Sequence, residues 1–199
     1  MMTTTTDPGS PFADSPDGDS RARDSSQTVV LGLGANSGHP QRNLSTAIGA
    51  LGRWLRPLHV SPLYRSHPVS QLPQPDYFNL VVLGRTELAA EDLLAVLKAL
   101  EHRQGRRQDQ RNSPRPLDID LLLHGQRICH RPELTLPHPR LRQRRFALAP
   151  LVDLAPDLPL PPDGCSAASV LHQLGAEAGG HAEPVPWPPD LDPNRPAPG

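Results

Sequence analysis

The chain has 199 residues and a formal net charge of −1, which fits one domain with tails and gives no overall attraction for nucleic acid or an anionic membrane. Its two cysteines, Cys129 and Cys165, have neither metal-ligand spacing nor a disulfide pattern. The polar N-terminus lacks the apolar centre of a signal peptide. No apolar run approaches the roughly 20 residues that span a bilayer. We therefore expect a cytoplasmic protein with no membrane partner.

Both ends of the chain are low in complexity. Residues 1–26 are rich in Thr, Ser, Asp and Pro, and the stretch from about residue 179 is dominated by proline. Such compositions bury too little apolar surface to offset chain entropy. We therefore expect a disordered N-terminal tail at 1–26, a folded domain at 27–176 and a Pro-rich disordered tail at 177–199. Trp187 is the residue that could anchor this second tail to the body.

The hydrophobic pattern of the domain alternates between strand and helix periods. In chain order it predicts a strand at 28–34, a helix at 40–55, strands at 58–66 and 77–86, a helix at 89–104 and a strand at 117–123. A short strand near 128, a loop with a short helix, and a last helix at 166–174 follow. The order β-α-β-β-α-β predicts an α+β fold, a ferredoxin-like α/β sandwich with helices on one face of a mainly antiparallel sheet.

A glycine-rich segment, GLGANSG at 32–38, connects the first strand to the first helix. It matches neither the dinucleotide fingerprint, because Ser37 stands at the third glycine position, nor the phosphate loop, because His39 follows Gly38. We interpret this segment as a tight strand-to-helix turn.

Two aspartates, Asp118 and Asp120, lie within the apolar strand LDIDLLL. Residues two apart in a strand share a face, and two carboxylates about 7 Å apart repel by roughly 2 kcal/mol at an effective dielectric near 20. One interpretation is a solvated face with a satisfied ion pair. The other is a divalent cation site, since Mg²⁺ takes oxygen ligands and often uses one or two carboxylates with substrate phosphates.

Arginines flank this strand on both sides along the chain. The preceding loop carries Arg103, Arg106, Arg107, Arg111 and Arg115, and the stretch PHPRLRQRRF at 137–146 adds His138, Arg142, Arg144 and Phe146. Alone, such runs are typical of a solvated basic loop or of nucleic-acid binding. Beside paired acids they suit the neutralisation of a polyphosphate during transfer.

The segment QPDYFN places Tyr77 and Asn79 two residues apart at the start of a strand. On one face of that strand, the tyrosine could stack on a flat ring while the asparagine hydrogen-bonds its edge. Tyrosine at a strand start is also common core and rim material, so this pattern leaves both interpretations open.

Five segments together resemble the 6-hydroxymethyl-7,8-dihydropterin pyrophosphokinase family of folate synthesis. They are GLGAN, QPDYFN, the E-x-x-x-G-R pattern at 101–106, RNSPRPLDIDLLL and LPHPRLRQRRF, which occur in the family's order over about 28–160. The combination of PR-x-L-D-I-D with LPHPR is highly specific.

The resemblance implies an enzyme that moves the β,γ-diphosphate of ATP onto the pterin hydroxymethyl group and leaves AMP. It implies two Mg²⁺ ions on Asp118 and Asp120, and catalytic contacts from Arg106 and Arg115. The implied ATP contacts are Glu101, Arg106, Arg111, Arg115, Leu121, His138 and Arg144. The implied pterin contacts are Ser66, His67, Pro68, Val69, Tyr77, Asn79 and Phe146. The partners would be ATP and the pterin, with no nucleic acid, for a monomeric enzyme.

Three positions depart from the family pattern: Gln108 stands where many relatives have a second loop arginine, Lys98 where glutamine is usual, and Asn112 where some have tryptophan. Two alternatives stay open. A degenerate member would bind ATP and pterin without producing AMP. A ferredoxin-like RNA-binding module would show salt-sensitive, Mg²⁺-independent binding, although only 4% of the residues are aromatic.

Overall fold

A computed structural model describes residues 26–68, 73–105, 113–175, 178 and 180–195. The first half of the chain follows the predicted order of strands and helices. The elements are β1 (Gln27–Ala35), α1 (Pro40–Leu51), β2 (Leu58–Val60), β3 (Leu63–Ser66), β4 (Tyr77–Thr86), α2 (Ala90–Arg103) and β5 (Asp118–His124). The predicted N-terminal tail lies, apart from Ser26, outside the described residues.

The second half of the chain contributes shorter elements. They are β6 (Cys129–His130), β7 (Thr135–Leu136), a 3₁₀ turn (Leu141–Gln143), α3 (Arg145–Leu154), β8 (Pro159–Leu160), β9 (Cys165–Ser166), α4 (Ala167–Leu174) and β10 (Ala182–Val185). Within the described residues, the main sheet has the order β10-β3-β4-β1-β5, with β2 also paired to β4. Every pairing in this sheet is antiparallel. The predicted ferredoxin-like α/β sandwich is confirmed.

Helices cover both faces of the sheet, so the expectation of helices on one face is wrong. Helices α1 and α2 pack with Leu31 and Leu33 of β1 in the main core. Helices α3 and α4 pack on the opposite face, against Val30 and Val81, in a second core. The central strands are apolar on both sides, which is the pattern of a sheet buried between two helical layers.

Local chain chemistry explains where the observed elements differ from the predicted ones. Helix α1 begins at Pro40, which has no amide hydrogen to leave unpaired in a first turn. The predicted strand at 58–66 is split into β2 and β3 because Pro62 cannot donate a ladder hydrogen bond. At the break, the Ser61 hydroxyl accepts a hydrogen bond from Val81 N at 2.9 Å and so keeps the segment on β4.

The C-terminal segment contributes a strand to the sheet, within the stretch 177–199 that the sequence predicts as a tail. Strand β10 pairs with β3 from Ala182 opposite Ser66 to Val185 opposite Leu63. Trp187 then packs against the main core. Apolar contact and backbone pairing together offset the entropy of ordering this proline-rich stretch, and its composition alone does not reveal either.

Within the described ranges, no helix has the length and hydropathy needed to cross a lipid bilayer.

Candidate active site

A cavity of about 700 Å³ opens on the second face of the sheet, beside the N-terminal end of α3. Gly32 and Gly34 of β1 line its floor, where any side chain would fill space. A Cβ atom built on Gly34 would lie 3.1 Å from Asn79 Oδ1, and one on Gly32 would lie 3.2 Å from Leu122 Cδ1. The volume is in the range of small-molecule sites.

Both strand aspartates face this cavity. Strand β5 pairs with β1 so that Asp118 is opposite Gly34 and Asp120 is opposite Gly32, and both side chains line the cavity. The residues between and beside them, Leu117 and Ile119, are buried in the main core. The strand alternation that the sequence predicted therefore places the two carboxylates on the open face.

Each carboxylate has a basic partner in the structure. Arg115 Nη1 lies 2.7 Å from Asp118 Oδ2, and Arg144 Nη1 lies 3.4 Å from Asp120 Oδ2. His138 Nε2 lies 3.8 Å from the same Asp120 oxygen. Arginines thus offset the repulsion between the two acids, as in the ion-pair interpretation of the sequence.

Burial lowers the pKa of His138 below its ordinary value, and the cations Arg144 and Arg140 lower it further while the Asp120 and Asp118 carboxylates oppose the shift. The imidazole is therefore predominantly neutral at pH 7. A neutral imidazole donates at one nitrogen and accepts at the other, and here Nδ1 accepts a hydrogen bond from Arg140 N at 3.2 Å.

One wall of the cavity is built from β3 and β4. Asn79 is buried, and its side-chain Nδ2 donates a hydrogen bond to Ser66 Oγ at 2.8 Å. Tyr77 lies two residues earlier on the same face, and burial raises the pKa of its hydroxyl. Its hydroxyl donates a hydrogen bond at 3.4 Å to Gln74 Oε1. The wall therefore combines an aromatic ring with fixed amide groups.

The opposite wall comes from the start of α3. Phe146 lines the cavity, and the Arg144 guanidinium carbon lies 5.3 Å from the centre of its ring. A cation at this distance is attracted to the aromatic face. Arg144 thus contacts both the Phe146 ring and the Asp120 carboxylate.

Asn36, the last residue of GLGAN, joins separate parts of the site. Its Oδ1 accepts from Arg115 N at 2.7 Å, and its backbone N donates to Arg115 O at 3.0 Å. Its Nδ2 donates to Pro75 O at 3.2 Å. The glycine-rich segment is thus partly strand and partly a turn that fixes Arg115 beside the loop before Tyr77.

The structure brings ten of the predicted site residues together around the cavity. They are Ser66, His67, Pro68, Tyr77, Asn79, Arg115, Asp118, Asp120, Arg144 and Phe146. Val69, Arg106 and Arg111 lie outside the described residues.

Three other predicted ATP contacts do not line the cavity. His138 Nε2 lies 3.8 Å from Asp120 Oδ2. The Leu121 side chain packs in the main core. Glu101 is only 2% exposed, and its Oε1 accepts a hydrogen bond from Ile119 N at 2.7 Å. Glu101 thus supports the strand that carries the aspartates.

The cavity lining also includes residues that the sequence analysis did not assign to the site, among them Gln74, Arg140, Gln143 and Gly180. Arg140 and Gln143 stand in the basic stretch that the sequence singled out, two and five residues after His138, so proximity to that histidine was an available signal. Gly180 arrives through the pairing of β10 with β3, for which local sequence carries no signal.

The donor set at β5 fits Mg²⁺ better than a softer metal. The available ligands are carboxylate oxygens that open onto a polar cavity, as hard cations prefer. In the part of the chain that the structure describes, no group of three or more His, Cys, Asp or Glu side chains forms a complete metal cage. Mg²⁺ commonly takes one or two protein carboxylates and completes its coordination with water and substrate oxygens.

A ferredoxin-like domain whose edge strand presents paired acids, beside two arginines, to a cavity with aromatic walls has the features of a phosphoryl-transfer enzyme for a small flat substrate. The chain belongs to the 7,8-dihydro-6-hydroxymethylpterin-pyrophosphokinase (HPPK) family, whose family model matches residues 30–156.

Individual relatives agree with this assignment. The chain is 44% identical over 137 residues to a 2-amino-4-hydroxy-6-hydroxymethyldihydropteridine pyrophosphokinase of Pseudomonas aeruginosa, covering 68% of this chain and 85% of that protein. It is 37% identical over 168 residues to the Synechocystis protein of the same name, covering 78% and 86%.

Solved structures give the same fold at lower identity. A crystal structure of wild-type Plasmodium falciparum HPPK-DHPS with pterin and p-hydroxybenzoate superposes with a TM-score of 0.59 at 15% identity. The alignment covers 74% of this chain and 42% of that longer chain. This similarity concerns the fold alone.

Proposed function

We propose that the protein transfers the β,γ-diphosphate of ATP to the hydroxymethyl group of 6-hydroxymethyl-7,8-dihydropterin, giving AMP and the pterin diphosphate for folate synthesis. The observation that carries this proposal is that Asp118 and Asp120 face the same cavity as Tyr77, Asn79 and Phe146. Groups suited to a metal-bound polyphosphate thus adjoin groups suited to a flat heterocycle.

Asp118 and Asp120 would hold two Mg²⁺ ions. When bound, these ions would neutralise charge on the triphosphate. The hard oxygen donors described above support this assignment, and their negative charge would attract the divalent cations to this end of the cavity.

Arginines would bind the phosphate oxygens. Arg115 and Arg144 line the cavity and contact the two carboxylates. Their guanidinium groups therefore lie beside the proposed metal ligands, where phosphate oxygens would bind. A planar guanidinium suits two phosphate oxygens at once. We propose Arg115 and Arg106 as catalytic residues, with Arg111 and His138 as further ATP contacts. The positions of Arg106 and Arg111 lie outside the described residues.

The pterin would bind between the two walls. Tyr77 and Phe146 would pack on its ring, and Asn79 would hydrogen-bond its polar edge, with the backbone of 66–69 completing the pocket. Asn79 is held by its bond to Ser66, so its side-chain carbonyl is presented at a fixed angle. A fixed partner reduces the ordering cost of binding.

The reaction needs no protein nucleophile. The hydroxymethyl oxygen would form a bond to the β-phosphorus, while the bond from that phosphorus to the α,β-bridging oxygen breaks. AMP leaves with the bridging oxygen, and the hydroxyl proton passes to solvent. Positioning and charge neutralisation supply the catalysis in such a transfer. We further propose that a monomer in the cytoplasm carries it out.

Incubation with ATP, Mg²⁺ and the pterin tests this function. We expect pterin-dependent AMP that disappears with a chelator and in Asp118→Asn and Asp120→Asn. Asp157→Asn is the matched control, because Asp157 is an exposed carboxylate outside the cavity. ADP in place of AMP would refute diphosphate transfer. Pterin binding without AMP would identify a degenerate member, and Mg²⁺-independent RNA binding would favour the binding module.

A further inference from the structure

The C-terminal segment 180–187 reaches the cavity from outside the region of the family match, which ends at residue 156. Gly180 lines the cavity, and the next residues form β10 at the edge of the sheet. This segment is therefore placed to act on the candidate site without belonging to the motifs that define it.

Strand β10 holds the strand that carries Ser66. Ala182 is paired with Ser66 itself, and Glu183 is paired with Arg65. The Arg65 Nε also donates to Glu183 Oε1 at 3.0 Å. Because Ser66 Oγ fixes the buried Asn79 side chain, any shift of β3 moves a group of the proposed pterin wall.

Two stacked histidines connect the segment to the cavity, because one of them, His67, lines it. The rings of His67 and His181 are stacked, with their centres 5.5 Å apart and their planes 20° apart. His67 is held in addition by a hydrogen bond between its Nδ1 and Asp76 Oδ1 at 2.8 Å. His67 directly follows β3 and Asp76 directly precedes β4. His181 is therefore linked through His67 to both strands of the wall.

Trp187 anchors the segment to the body of the protein. Its ring packs against the main core, and its Nε1 is buried without a hydrogen-bond partner among the described residues. Leaving that donor unpaired is unfavourable, so the apolar contact of the ring must outweigh it. The anchor lies only two residues after the end of β10, a spacing that leaves little slack in the chain.

We propose that residues 180–187 form a C-terminal clamp that positions the pterin wall, with His181 as a positioning residue that holds His67 in place. The identity of the ligand rests on the proposed function, whereas the clamp itself rests on the contacts of β10, His181 and Trp187. The clamp acts on the affinity for the pterin and leaves the phosphate end of the cavity unchanged.

Single substitutions at the stack test the clamp in the full chain. We expect His181→Ala to raise the pterin Kd and KM about three- to tenfold, the range of one aromatic pair, with kcat and the KM for ATP within about twofold. His181→Phe should restore the pterin affinity because it keeps a flat ring. His172→Ala is the control, since His172 is exposed on α4 and does not line the cavity. Unchanged pterin affinity in His181→Ala would overturn the role of the stack, and an equal loss for ATP would mean general disruption.

Hydrogen exchange gives a second measurement that needs no substrate. Trp187→Leu should accelerate amide exchange in Leu63–Ser66 and Ala182–Val185, while β5 keeps the wild-type rate. Wild-type rates throughout would overturn the clamp. If the wild type binds pterin but forms no AMP, the proposed function fails and the clamp is still judged by the pterin Kd. If it binds no pterin, the proposed function also fails, and the exchange rates of Trp187→Leu alone decide whether the clamp exists.

Discussion

Asp118→Asn sets two electrostatic effects of opposite sign against each other in the metal-free protein. The substitution removes the repulsion from Asp120, which is roughly 2 kcal/mol at about 7 Å and an effective dielectric near 20. It also removes the charge that faces Arg115 at 2.7 Å, a gross attraction of about 6 kcal/mol at the same dielectric. The attraction to Arg115 therefore exceeds the repulsion from Asp120.

The net cost is much smaller than the gross attraction. Desolvation of both groups offsets most of it, and asparagine still offers an oxygen to the guanidinium. Both side chains are 24% exposed, which places the pair between exposed pairs, at about 0–1 kcal/mol, and fully buried ones, at about 3–5 kcal/mol. We therefore expect Asp118→Asn to lower the free energy of unfolding by about 1–2 kcal/mol.

Urea unfolding in a chelator at pH 7 and low salt measures this difference. Asp157→Asn, an exposed carboxylate away from the cavity, provides the baseline for removing one negative charge. A variant as stable as the wild type, or more stable, would refute the reasoning. It would mean that repulsion between the strand aspartates dominates and that the Arg115 pair contributes nothing in solution.

Three further substitutions test pterin binding, the anchoring of β5 and catalysis separately. Gly34→Ala should weaken pterin binding in a fluorescence titration without loss of folding, because its Cβ would lie 3.1 Å from Asn79 Oδ1; unaltered affinity would contradict the assigned wall. Glu101→Ala should cost about 1–3 kcal/mol in urea unfolding, because it leaves Ile119 N without its acceptor; a neutral effect would contradict that role. Arg115→Ala should lower kcat by about 10²–10³ in the AMP assay, whereas an effect on KM alone would indicate uniform binding.

The elements that the sequence predicted well are those with a strong local period. Alternation in β5 was enough to place Asp118 and Asp120 on one face, because strand geometry alone decides that question. The same rule put Tyr77 and Asn79 on one wall. Local periodicity therefore accounts for the acidic floor and one wall of the candidate site.

Contacts between distant segments were not predictable in this way. Strand β10 is a four-residue element containing proline, and its pairing with β3 and the packing of Trp187 on the main core are contacts that its composition does not reveal. The sequence predicted a short helix and a last helix in this region but not their placement on the second face of the sheet. The sequence of α3 is apolar on nearly every side, with Ala147, Leu148, Ala149, Pro150 and Leu151 all buried, so no amphipathic period marks the face that it covers.

Glu101 illustrates how a site motif can act at a distance from the substrate. An acid in the last turn of α2 is unfavourable beside the negative end of the helix dipole, and its burial adds a desolvation cost. The structure compensates with Ile119 N at 2.7 Å and with Lys98 Nζ at 3.0 Å. Because Ile119 stands between the two aspartates, the bond fixes β5 at the point where both carboxylates enter the cavity. The resemblance predicted an ATP contact for this residue, and the geometry supports a role in holding the strand that would bind the metal.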